Sequence, residues 1–252
     1  MNEERRSRSS RCCSTDGNLE ACASAQDSSR RQFLQTAVSG TVAGLVATAG
    51  MEFARPRPVL AQSNLTPDAA LQELVDGNRR FMAGRIASDA QDLAILKQNT
   101  IEKQEPFAAV LSCADSRVPV ELVFDQSIGH IFVTRVAGNI ASSEIIASLE
   151  YGAAVLATKV ILVMGHSNCG AVKATIQGKG APGQISALFP HIQPAVDQAG
   201  SNLEAATKAN AKIQAALLRQ ASTVISSLVK EGKLKVVAGY YELANGSVAL
   251  LD

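Results

Sequence analysis

Two continuous apolar runs, Phe107–Ser112 and Val160–Gly165, each break off into a short polar cluster rich in metal-ligating side chains. Apolar runs of this length, separated by helical segments, predict buried parallel strands of an α/β sheet, since half-exposed strands would alternate. The first run is followed by Cys113-Ala114-Asp115-Ser116-Arg117 and the second by His166-Ser167-Asn168-Cys169-Gly170. In open α/β sheets, ligands bind beyond the carboxyl ends of strands whose connections leave in opposite directions. If these two strands are neighbours, groups about fifty residues apart in the chain meet at one point.

Cys113, His166 and Cys169 then offer two thiolates and an imidazole, three of the four ligands of a tetrahedral zinc ion. A spacing of three residues puts His166 and Cys169 on one side of a turn, within reach of a single ion. A disulfide between Cys113 and Cys169 is the competing reading, and His166 three residues before Cys169 favours metal. Asp115 has two options: it takes the fourth coordination position and closes the site, or it forms a bidentate pair with Arg117 and leaves that position to water.

Other segments fill in the frame. Thr66 as N-cap and Pro67 at the first helical position open a helix that carries Leu71, Leu74, Val75, Phe81 and Met82 at helical spacing up to Gly84. Further helices are expected around Asp89–Gln104, over Ser142–Ala157 and from Leu203 to Lys230, the last with Ile213, Leu217, Val224, Ile225 and Leu228 as its buried stripe. Ile131–Arg135 reads as a strand, and Lys235–Tyr241 and Val248–Leu251 as a closing hairpin about Asn245-Gly246. The fold class is therefore α/β: a central, mostly parallel sheet of about four strands plus an antiparallel C-terminal edge strand, flanked by helices.

The N-terminal segment reads as an address. Ser29-Arg30-Arg31-Gln32-Phe33-Leu34 is a twin-arginine pattern, Thr36–Met51 is an Ala/Gly/Val-rich apolar stretch, and Val59-Leu60-Ala61 places cleavage between Ala61 and Gln62. The apolar stretch is too short and glycine-rich for a stable membrane span. Residues 1–61 form the signal segment and residues 62–252 the catalytic domain. Export leads to the periplasm, with the cell exterior and a thylakoid lumen as alternative destinations. Cys12, Cys13 and Cys22 lie before the cleavage point, so the product keeps only Cys113 and Cys169 and carries a formal charge of −1. Near-neutral charge argues against a nucleic-acid binder.

The two clusters resemble those of the β-class carbonic anhydrases. The likeness includes Cys-x-Asp-x-Arg, His-x-x-Cys, the segments Ile131–Asn139 and Ser148–Gly152, and the helix with Gly77-Asn78-Arg79-Arg80-Phe81, and so spans nearly the whole exported domain. It implies reversible hydration of carbon dioxide to bicarbonate and a proton by attack of zinc-bound hydroxide, with one Zn2+ per subunit held by Cys113, His166 and Cys169. It further implies that Asp115 and Arg117 form the orienting dyad, that Gln104 hydrogen-bonds substrate, and that Phe132 and Tyr151 line an apolar pocket. In the family these three belong partly to the neighbouring subunit, which implies a homodimer or a higher homo-oligomer. Members regulated by non-catalytic bicarbonate carry a tryptophan shortly before the first cysteine. Val110 stands there and the chain has no tryptophan, which implies the open form at neutral pH.

Two alternatives keep the same residues: hydrolysis of carbonyl sulfide or carbon disulfide on this fold, and a non-catalytic zinc-stabilised binding protein with Asp115 as fourth ligand. His130 and His191 are of the side-chain type that shuttles protons, but no spacing ties either to the metal cluster.

Overall fold

Residues 64–87 and 103–251 are described in a computed structural model of the protein. The expected signal segment and cleavage point lie outside the described residues. So does the helix expected around Asp89–Gln104, apart from residues 103 and 104, which are not helical.

Helix α1 (Pro67–Met82) begins as the sequence requires, with the Thr66 hydroxyl accepting from the Ala69 N–H. Its basic pair is structural at Arg80, whose guanidinium Nε donates to buried Asp125 at 2.5 Å. Strand β1 (Ala108–Ser112), the short helix α2 (Val120–Val123), strand β2 (Ile131–Arg135), helix α3 (Ser143–Ala154) and strand β3 (Val160–His166) follow in order. Then come α4 (Gly170–Gln177), α5 (Phe189–Ala199), α6 (Leu203–Ala221), α7 (Thr223–Lys230), β4 (Lys235–Tyr241) and β5 (Val248–Leu251). Among the described residues no helix is long and apolar enough to cross a membrane.

The strands form one sheet in the order β2-β1-β3-β4-β5. Neighbours are parallel except at the β4–β5 edge, where the connection is the expected hairpin with Gly246 in the left-handed region at φ 77°. The chain leaves β1 toward β2 and leaves β3 toward β4, in opposite directions along the sheet. The reversal point between β1 and β3 is where a ligand site belongs in such a sheet.

Every residue of β1 and β3 is buried, which explains why neither run alternates. Ala108 and Val110 face a core built with Leu74, Phe124 and Met164, while Ala109 and Leu111 face the opposite core of Leu149, Ala211, Leu218 and Ile225. Sheet faces are thus covered by α1 and α2 on one side and by α3, α6 and α7 on the other.

Two expectations need correction, and one helix was not foreseen. The long helix over Leu203–Lys230 is two helices, because buried Ser222 is extended at φ −101° and ψ 117°. Its hydroxyl accepts from the Ile225 N–H to cap α7 and donates to Glu150 at 2.5 Å. The buried line of α6 runs through Ala206, Thr207, Asn210, Ala211, Gln214, Ala215 and Leu218, leaving Ile213 and Leu217 half-buried beside it, as Val224 and Leu228 are on α7. Helix α5 was hidden by its prolines, of which Pro190 sits in the first turn and Pro194 in the interior.

Candidate metal centre

Cys113 is the first residue beyond β1, His166 the last of β3, and Cys169 the N-cap of α4. Parallel pairing of β1 with β3 brings their carboxyl ends side by side. The ligand atoms of Cys113, His166 and Cys169 lie within 4.8 Å of one another, and all three residues are buried. Cys113 and Cys169 are not joined by a disulfide, and both thiols are free.

The imidazole is oriented by the backbone. His166 Nδ1 lies 2.9 Å from the Ser167 carbonyl oxygen. A carbonyl only accepts, so this bond puts the ring proton on Nδ1 and leaves Nε2 with a bare lone pair. That Nε2 is buried and has no partner among the described residues. An orphaned buried acceptor between two sulphurs fits a soft or borderline cation with mixed N/S ligands, and zinc in particular.

The sulphurs are prepared unequally. The Cys113 thiol is held well below its usual range, first because Cys169 donates to it and then through the Gly138 N–H, against the opposing effect of burial. Cys169 is pushed up, first by its bond to Cys113 and then by burial, while the Ala171 and Val172 N–H groups at the start of α4 act against this. One proton shared between two close sulphurs produces both directions. A dication displaces that proton, since both sulphurs ligate as thiolates.

Asp115 faces this cluster without joining it. Its Oδ2 is 3.9 Å from His166 Nε2, too far for a hydrogen bond but near enough to accept one from a group between them. Both carboxylate oxygens are engaged by Arg117, with Nε on Oδ1 at 2.9 Å and Nη2 on Oδ2 at 2.8 Å. These bonds hold the Asp115 carboxyl well below the usual carboxylate range. This is the paired arrangement of the two options open to Asp115.

The apolar pair is also placed together: the rings of Phe132 on β2 and Tyr151 on α3 have centroids 6.3 Å apart at 43°. Phe132 is half-buried, whereas Tyr151 is 48% exposed. Gln104 is exposed and makes no hydrogen bond among the described residues. The structure brings Cys113, His166, Cys169, Asp115 and Arg117 to one place, and no hydrogen bond links Gln104 to them.

Sequence reasoning missed the groups that hold these residues in place. Arg135 donates from Nε to the Cys113 carbonyl at 2.9 Å and from Nη2 to the Asp115 carbonyl at 2.5 Å, clamping the loop between ligand and dyad. Gly138 donates its N–H to Cys113 Sγ at 3.3 Å. Arg135 and Gly138 lie in Ile131–Asn139, where a basic residue at a strand end followed by a Gly-Asn turn was the available signal.

Parallel strands that deliver two cysteines and a histidine to one buried point, beside a carboxylate held by an arginine, have the make-up of a metalloenzyme site. A sequence model described as carbonic anhydrase matches residues 108–248. The chain is 34% identical over 195 residues to a carbonic anhydrase of Mycolicibacterium smegmatis, covering 74% of this chain and 94% of that one. It is 33% identical over 197 residues to carbonic anhydrase 2 of Mycobacterium tuberculosis, covering 75% and 95%. Among solved structures, the β-carbonic anhydrase CcaA superposes with a TM-score of 0.59 at 26% identity over 72% of this chain and 87% of that one. The chain belongs to the carbonic anhydrase family, in its β class, lyase-type enzymes whose general reaction is the hydration of carbon dioxide.

Proposed function

We propose that this chain interconverts carbon dioxide and bicarbonate at a zinc ion held by Cys113 Sγ, His166 Nε2 and Cys169 Sγ. One observation carries the reading: the bare, buried Nε2 of His166 stands with two sulphurs, while Arg117 occupies both oxygens of the nearest carboxylate. Three protein ligands and an unclaimed fourth position make a catalytic site; four make a structural one. Zinc bound there supplies a Lewis acid that lowers the pKa of a water from about 15.7 toward about 7.

The residues around it do the rest. Asp115, kept ionised by Arg117, accepts a hydrogen bond from the attacking water and fixes the direction of its lone pair. Phe132 and Tyr151 give apolar carbon dioxide a wall, and the Gln104 carboxamide donates to an oxygen as bicarbonate charge develops. A second copy of the chain completes the pocket in a homodimer. Tyr151 at 48% exposure and Val155 at 58%, one helical turn apart, support an apolar contact face there.

Export by the twin-arginine route to the periplasm is part of the same reading and is supported by Ser29–Leu34 with the apolar stretch behind it. A fusion of residues 1–61 to a reporter should cross the membrane only in cells with a working twin-arginine translocase. For the chemistry, zinc analysis and stopped-flow hydration on the chain from Gln62 should give one zinc per chain and rapid turnover. Cys113→Ser should lose both. Zinc-replete protein with no hydration from about pH 6 to 9 would overturn the reading.

A further inference from the structure

The Gly138 loop, whose N–H meets the Cys113 sulphur, is held from behind by two buried carboxamides of α6. We propose that Asn210, backed by Gln214, is a positioning residue: it aims the Gly138 N–H at the Cys113 thiolate and thereby sets how tightly the site holds its metal. The inference rests on the metal-site reading and adds residues that touch neither ion nor substrate.

The relay can be followed atom by atom. Asn210 Nδ2 donates to the Gly138 carbonyl at 2.8 Å, and the Gly138 N–H donates to Cys113 Sγ at 3.3 Å. The two bonds fall on the peptides either side of the Gly138 Cα, so Asn210 fixes the residue whose N–H is in question. Gln214, one helical turn on, donates from Nε2 to Asn210 Oδ1 at 3.2 Å and to the His191 carbonyl at 2.9 Å. Its Oε1 accepts from the Ala141 N–H at 2.9 Å. Both carboxamides therefore grip one loop, at residues 138 and 141.

That loop needs an outside grip. Gly138 has φ 77° and Asn139 φ 45°, two successive residues in the left-handed region, which glycine adopts freely and asparagine more readily than other side chains. A Cβ at 138 would stand 2.7 Å from Ile192 Cδ1 and 3.2 Å from Ala171 Cβ, and the positive φ would strain any side chain there. Asn210 is 0% exposed and Gln214 1%, on a helix line otherwise filled by alanines, Thr207 and Leu218. Buried amides are expensive where a leucine would pack, unless every polar atom is used, and here they are used on the loop. Two backbone amides face the Cys113 sulphur: that of Asp115 sits in the loop Arg135 clamps, whereas that of Gly138 is the one α6 steadies. An N–H bond to a ligating sulphur tunes its donor strength, and loss of such outer partners typically costs 10- to 100-fold in metal affinity.

The test uses the full chain with Cys12, Cys13 and Cys22 replaced by serine, so that only Cys113 and Cys169 can bind through sulphur. Zinc affinity is measured by competition with a chelator, and the cysteine-to-cobalt charge-transfer band is recorded after cobalt substitution. Asn210→Leu should weaken zinc binding by about 10- to 100-fold and move the band, and Gln214→Met should do the same to a smaller extent. Leu218→Ala, fully buried on the same helix, should melt lower yet keep both readings. Should Asn210→Leu fail to fold, Gln214→Met against Leu218→Ala decides the matter. Asn210→Leu and Gln214→Met variants that lose stability but retain parental affinity and spectrum, as is expected of Leu218→Ala, would overturn the relay alone. A parent chain that took up no ion would overturn the metal site and the relay together.

Discussion

Arg117 grips Asp115 at both carboxylate oxygens, and its backbone N–H adds a third bond to Oδ1 at 3.0 Å. The residues are two apart in sequence, and the Val118 N–H closes the turn onto the Asp115 carbonyl at 3.2 Å. The carboxylate is thus fixed by its own turn and keeps Oδ2 near His166 Nε2. Asp115→Asn preserves the shape but removes the charge and turns an acceptor into a donor. Hydration should fall by about 100-fold or more while zinc content stays at one per chain. Stopped-flow rates and metal analysis on the same preparation check this, and parallel loss of zinc would place Asp115 among the ligands instead.

Arg117→Lys keeps the positive charge but not the planar fork that reaches both oxygens at once. An ammonium cannot replace Nε and Nη2 together, so Asp115 gains freedom to turn toward the sulphurs and imidazole. Hydration should drop by about tenfold or more, since small misplacements of a reacting group are costly. Arg117 has a 54% exposed side chain, and its loss should leave the unfolding midpoint in urea almost unchanged. A variant as active as the parent would remove the bidentate pair from the catalytic account.

Gly165, next to His166, lies against α6 at Thr207 and Ala211. A Cβ there would stand 3.0 Å from Thr207 Cγ2 and 3.2 Å from the Thr207 carbonyl oxygen. Gly165→Ala should cost about 1–3 kcal/mol in urea unfolding, the usual penalty for overpacking. Adding Thr207→Ser removes the nearer atom and should recover part of the loss. Strict additivity of the two changes would show that they do not meet.

The strands and the ligands were legible because residue type and period carry them. Buried parallel strands show as unbroken apolar runs, and a thiol-imidazole-thiol set has few uses other than metal. The Asp115 choice was legible only as a pair of options, because the sequence contains both partners and not the torsion that joins them. Helix α6 shows where the signal ended. Periodicity sends amides to solvent, so Ile213 and Leu217 looked like the buried line; yet Asn210 and Gln214 are buried, satisfied by backbone groups 72 and 73 residues away. No local pattern encodes partners at that distance. Ser222 was hidden for a similar reason, since the amphipathic period continues across the break that its hydroxyl caps.

Tyr240, paired with Gly165 across β3 and β4, makes stability depend on alkaline pH. Burial, aided by the charges of Glu242 and Glu204, pushes its phenol from about 10 up to about 12, although a bond with Ser167 acts the other way. The folded protein therefore keeps this proton after the unfolded chain has released it. Between those two values the unfolded state binds fewer protons, so the stability present below pH 10 is lost as pH rises toward 12. Tyr241 is raised in the same direction by burial and contributes to the same decline. Tyr240→Phe removes one of the two groups and should flatten the fall in unfolding free energy between about pH 9 and about pH 11, leaving the remainder to Tyr241. Urea titrations of parent and variant at both pH values measure the difference, and an equally steep fall in the phenylalanine variant would assign the alkaline loss elsewhere.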